Sequence, residues 1–213
     1  MEFKIHDHYT HDDRLFLLVE IIITAICMFI PFILFAVDGQ IRPSISAYVD
    51  MKDSYIFGLL FGIAGMTFAL NGALYFKVES DEKRHPELKE LSTLSETIYN
   101  KKKIGKWYNL IFGLALIGVA IFHYQRTELS SILHIAFAVI FFVGSAIVIF
   151  FVHDPRDRWK SRVLAVGSLA CLAVAFFTDG EVISIFFAET IGLIIIAIHY
   201  ILESYRICLK FKN

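Results

Sequence analysis

Six stretches of this chain are apolar over the length of a lipid bilayer, and no other feature constrains its fold so tightly. A bilayer's hydrocarbon core is about 30 Å thick, so a crossing helix needs about 20 mostly apolar residues. The stretches run over residues 15–37, 54–76, 107–124, 131–152, 162–177 and 182–205. So little polar sequence separates them that no hydrophilic shell remains to cover such a core in water. Hydrophobic residues make up 57% of the chain and charged residues 19%, against about 45–50% and about 25% in soluble domains. The predicted fold is an all-α integral membrane bundle of six transmembrane helices. It occupies residues 15–206, between tails at 1–14 and 207–213.

Lysine and arginine give the bundle a direction, because they accumulate on the cytoplasmic side. Seventeen fall on the side of the termini, eight of them between Lys77 and Lys106, and three (Arg42, Lys52 and Arg126) fall on the other. Both termini are therefore expected in the cytoplasm, with Trp107 and Trp159 at the inner interface. The first apolar run is too long for a cleavable signal. Cys27, Cys171 and Cys208 are too scattered for a disulfide framework or a zinc ribbon. Cys208, among basic residues beside the last span, is a candidate for lipidation. A net charge of −1 supplies no basic patch, so nucleic acid is excluded as a partner. No internal repeat is visible, which weakens a transporter built from inverted halves.

Span two has small residues at Gly58, Gly62, Gly65, Ala69 and Gly72, a repeat that lets helices approach closely in lipid. Packing inside the bundle is the first expectation, and homo-oligomerisation through Gly58, Gly62 and Gly65 the second. The loop over 77–106 carries eight bases and six acids. Pro86, Leu88, Leu91, Leu94 and Ile98 fit a short amphipathic helix on the cytoplasmic surface, and a cytosolic partner could dock there.

Ionisable and polar residues inside spans are costly and mark candidate sites. Glu20, Asn71, His199 and Glu203 fall toward the cytoplasmic end and form an inner polar cluster. His134 and Glu189 fall toward the outer end, and Ser145 shares a helix face with His134. His134 and His199 lie about 20 Å apart in depth at about 1.5 Å per residue. One metal cannot join them, since ligand nitrogens stand about 2 Å from zinc. The tail histidines His6, His8 and His11 suggest only adventitious metal binding, and neither a structural metal nor a cofactor is expected.

The outer loop over 38–53 is longer than a turn between adjacent spans needs. Its Pro43-Ser44-Ile45-Ser46-Ala47-Tyr48 run, the Lys52-Asp53 pair and the glycine-bearing second span resemble the six-span Frag/DRAM/Sfk-type membrane family. So do Leu133-His134 with Phe141-Phe142, and Ala188-Glu189-Thr190. The resemblance is closest to bacterial-type members. It departs from them at Val49, where a second tyrosine is common, and at His199, near a usual tryptophan. It implies association with lipids and a bacterial inner membrane.

Residues and resemblance together predict a polar site in the outer half, beneath the first loop, formed by Ser44, Ser46, Tyr48, Lys52, Asp53, His134 and Glu189. Its expected ligand is a membrane lipid or small amphiphile. Ser44 or Ser46 as nucleophile, His134 as base and Glu189 or Asp53 as orienter make a catalytic alternative, although the sequence leans away from an enzyme. A proton-coupled transporter or channel using Glu189, His199, Glu203 and Glu20 is a further alternative, and a scaffold is the last.

Overall fold

The structure is a computed structural model. It describes residues 15, 18–84, 108–124, 126–151 and 158–210, with backbone only for 73–84, 158 and 203–210. Every regular element among these is helical. We number α1 Leu18–Cys27, α2 Ile30–Asp38, α3 Ser54–Arg84, α4 Tyr108–Ile121, α5 Glu128–Phe151, α6 Arg158–Phe177 and α7 Ile185–Lys210. A 3₁₀ turn covers Ser46–Asp50. The N-terminal tail, residues 211–213 of the C-terminal tail, the surface helix expected near Pro86, Trp107 and the side chains of Glu203 and Cys208 lie outside the described residues; α7 continues through 207–210, past the expected end of the bundle at 206.

Stretches within α3, α5, α6 and α7 are long and apolar enough to cross a membrane, and α1 with α2 makes a fifth, broken candidate. The protein is an integral membrane helical bundle. Its surface says so directly: Tyr55, Leu59, Ile63, Met66 and Leu70 form one exposed stripe on α3, and Ile132, Ile135 and Val139 are exposed on α5. Water would not tolerate so much apolar surface on one chain; hydrocarbon does.

Span one is not one straight helix. α1 and α2 meet at a 43° bend. Pro31 sits in the first turn of α2, where its missing N–H costs nothing. Continued without a break, the helix would set the proline ring against the Cys27 carbonyl and lose that hydrogen bond. The chain instead turns through Met28 and Phe29, whose amides bond back to Thr24 and Ile26. α2 ends at Gly39, left-handed at φ 75°, whose N–H donates to the Phe35 carbonyl.

Consecutive helices pack in order from α3 to α7, and α7 also returns to α5. The α3–α4 seam rests on glycine. A Cβ on Gly72 would lie 2.1 Å from the Leu110 amide nitrogen, and one on Gly113 would lie 2.5 Å from the Ala69 nitrogen. The contacts Gly72–Leu110, Ala69–Gly113 and Gly65–Ile117 climb one helix as they descend the other, so α4 is antiparallel to α3. Gly118 under Phe137 and Gly144 under Phe112 place α5 antiparallel to α4 in the same way. The glycine ridge of span two therefore divides. Gly65, Ala69 and Gly72 are spent inside the bundle, while Gly58 and Gly62 have open space beside them.

α4 has 14 residues, about 21 Å at 1.5 Å per residue, shorter than the expected third span. α3 runs on through the charged segment to Arg84, well past the expected end near Phe76. Helix needs only backbone hydrogen bonds, so it outlasts the apolar run that identifies it.

Candidate functional site

The loop after α2 folds inward as a plug. Ile45, Tyr48 and Met51 are buried with Phe57 of α3 and Phe186 of α7. The Tyr48 and Phe186 rings stand 5.9 Å apart. Thus the volume beneath the loop, expected to hold a polar site, is largely filled by the loop's own apolar side chains.

Two bonds fix the plug to α7. The Ile45 N–H donates to Glu189 Oε2 at 2.7 Å, and the Phe186 N–H donates to the Pro43 carbonyl at 2.9 Å. The first is short and joins a main-chain amide to a side-chain carboxyl oxygen across 144 residues of sequence. Within the loop, Ser44 and Ser46 share a hydrogen bond of 3.0 Å, and the Ala47 N–H donates to Ser44 Oγ. The Tyr48 hydroxyl donates to the Gln40 carbonyl at 3.0 Å. Burial pushes the Tyr48 phenol above its ordinary value. Arg42 forms a two-pronged ion pair with Asp38, at 2.7 and 3.0 Å. That carboxylate holds the Arg42 guanidinium above its ordinary value. Lys52 is exposed and Asp53 half-buried at the head of α3.

His134 belongs to a different contact. Its Nδ1 lies 2.7 Å from the Phe122 carbonyl, and its ring lies 5.8 Å from Tyr124. If Nδ1 donates, Nε2 is left as the acceptor, a tautomer that could act as a base. Neither serine hydrogen-bonds His134, and Glu189 bonds the backbone of Ile45 rather than the imidazole. These residues thus form a clamped cap and, at the next loop, a histidine staple. They are not assembled as a triad.

A second polar group lies deeper. The Asn71 amide donates to Glu20 Oε2 at 2.8 Å, and the Asn109 amide donates to Asn71 Oδ1 at 2.8 Å. This buried chain joins α1, α3 and α4, and the Tyr200 phenol of α7 interacts with the Glu20 carboxyl. Asn109, Ser145, His199 and Tyr200 line one small gap with Phe68. Thr24 and Thr67 line another, on which Phe68 also borders. Glu20, Asn71 and His199 were legible as an inner cluster. Asn109 and Tyr200 were missed, although an asparagine within an apolar run is the same signal that singled out Asn71. Among the described residues, no group of three or more His, Cys, Asp or Glu side chains could hold a metal ion.

No curated protein and no solved structure matches the chain. A family model matches residues 29–204, a span that takes in the cap, Glu189, His134, Asn71, Asn109 and His199 and begins after Glu20 and Thr24. Its description is Family of unknown function (DUF7103), and since the match covers most of the chain, the protein belongs to that family.

Proposed function

We propose that the protein binds or handles a membrane lipid or small amphiphile in its outer half, at the rim of the clamped cap rather than in a cavity beneath it. The observation that carries this reading is the order of polar and apolar surface at the head of α3. Exposed Lys52 stands three residues before Tyr55, where a lipid-facing stripe of apolar side chains begins. A cation suits an anionic head group, and the stripe suits an acyl chain. Ser44 and Ser46 hold half-buried hydroxyls on the same loop, which the Glu189 bond keeps in place. The resemblance to the Frag/DRAM/Sfk-type family, with its lipid associations, favours the same reading.

The proposal includes six crossings with both termini in the cytoplasm. α4 is short, but it runs antiparallel between two helices of spanning length, and the excess of lysine and arginine on one side agrees. The cap then faces the outer leaflet, with a bacterial inner membrane as the proposed setting.

Native mass spectrometry of the protein released from detergent tests the binding. Retained lipid, lost in a Lys52→Ala, Ser44→Ala, Ser46→Ala variant that still melts cooperatively, is the expected result. Equal retention by that variant and the wild type would contradict the reading.

A further inference from the structure

Independently of the cap, five helices send polar side chains to one interior layer: Glu20 from α1, Asn71 from α3, Asn109 from α4, Ser145 from α5, and His199 and Tyr200 from α7. Such convergence is expensive in a membrane, where buried polar atoms need partners. Two threonines on these helices have found one. Thr67 and Thr190 turn their hydroxyls back to the carbonyls of Ile63 and Phe186, at 2.9 and 2.7 Å. Thr24 and Ser145 do not. Their hydroxyls are buried without a protein partner, in residues only 1% and 3% exposed. Glu20, also 3% exposed, uses Oε2 for Asn71, while its Oε1 makes no hydrogen bond of ordinary length.

Each lone hydroxyl lines a gap. Thr24 borders the one beside Thr67, and Ser145 borders the one beside Asn109, His199 and Tyr200. The first gap, apolar apart from Thr24, Thr67 and Cys27, is at the lower limit of what holds one water, and such a water needs two to four polar partners. The second is larger and is lined by five polar side chains, those of Tyr108, Asn109, Ser145, His199 and Tyr200. Phe68 lies against both, its ring 4.9 Å from that of Tyr200.

We propose that this layer is an intramembrane proton-binding site, with Glu20 as the group that gains and loses the proton; Glu20 itself lines neither gap, and the two reach its neighbours, Thr24 one turn along α1 and Tyr200 on α7. The groups that face the carboxyl from other helices are Asn71 on α3 and Tyr200 on α7. His199 is the other titratable side chain of the layer, and among the described residues no lysine or arginine pairs with Glu20. A proton delivered to the carboxylate by a hydronium ion forms one O–H bond there and breaks one on the hydronium, which leaves as water. No other bond changes. The amide of Asn71 can donate to the carboxyl in both states, so the site keeps its geometry as the charge changes.

The test is infrared difference spectroscopy on a pH step, with the full chain in liposomes of phosphatidylcholine and phosphatidylglycerol. A carboxylic C=O band that shifts on deuteration is expected in the wild type and absent in Glu20→Gln. In Asn71→Leu the band should persist at higher frequency, because the carbonyl has lost a hydrogen bond. This second variant decides the matter if Glu20→Gln fails to fold. A wild-type difference spectrum that Glu20→Gln reproduces, or an Asn71→Leu band that has not moved, would overturn the proposal and leave a network that only holds helices together.

Discussion

The cap turns on Glu189, because its carboxylate satisfies a backbone N–H that has left regular structure. Removing the acceptor strands the Ile45 amide, at a cost of about 1–3 kcal/mol. Glu189→Ala should therefore lower thermal stability in detergent by that much, and Glu189→Gln by less, since an amide oxygen still accepts. Glu181→Gln, at an exposed position in the α6–α7 turn, should change little; equal melting of all three variants would count against the clamp. Tyr48 adds a pH dependence. Its phenol titrates higher in the folded chain than in the unfolded one, so its contribution is intact below the ordinary tyrosine range, near about 10. The contribution falls as pH rises through that range, because the unfolded chain ionises first. Tyr48→Phe should flatten the alkaline loss of stability, read as melting temperature against pH. These partners were only partly legible. Glu189 stands out as an acid in an apolar run, but nothing in its spacing says that it meets a main-chain amide 144 residues away. Depth placed His134 beside Glu189, whereas the imidazole finds the nearer Phe122 carbonyl twelve residues before it.

Helix existence was readable from apolar length alone, whereas helix boundaries and the bend were not. Pro31 marks the break in span one and stands in plain view, yet a hydropathy window averages over it. The small-residue ridge pointed to close packing without saying which of its members would be used. Partner geometry decides that: Gly72 faces the Leu110 backbone, and Gly58 faces open space. Gly72→Ala must push α3 and α4 apart and should cost about 1–3 kcal/mol or more. Gly58→Ala meets nothing within 4 Å and should be neutral or stabilise by up to about 1 kcal/mol, the helix-propensity gain of alanine over glycine. Thermal melts of the two variants in one detergent check this, and similar losses in both would remove the seam from the account.

Across the whole molecule, the chain sorts its polar groups by depth. The clamped plug closes one end, a layer of amides, hydroxyls and Glu20 crosses the interior, and apolar side chains face outward. Composition and the apolar runs announce such a body before any contact is known. They cannot announce that the plug fills its own cavity, because that depends on Ile45, Tyr48 and Met51 turning inward together. The central claim is that six crossings put the plug outside the membrane. Single cysteines at Lys52, Glu128 and Glu181, and in contrast at Trp159, in a background with Cys27, Cys171 and Cys208 replaced by serine or alanine, test it with a membrane-impermeant maleimide on intact cells. The account predicts labelling of the first three from outside and of Trp159→Cys only after permeabilisation. Protection of Glu128→Cys alongside labelling of Lys52→Cys would mean that α4 does not cross, and the six-crossing arrangement would be wrong.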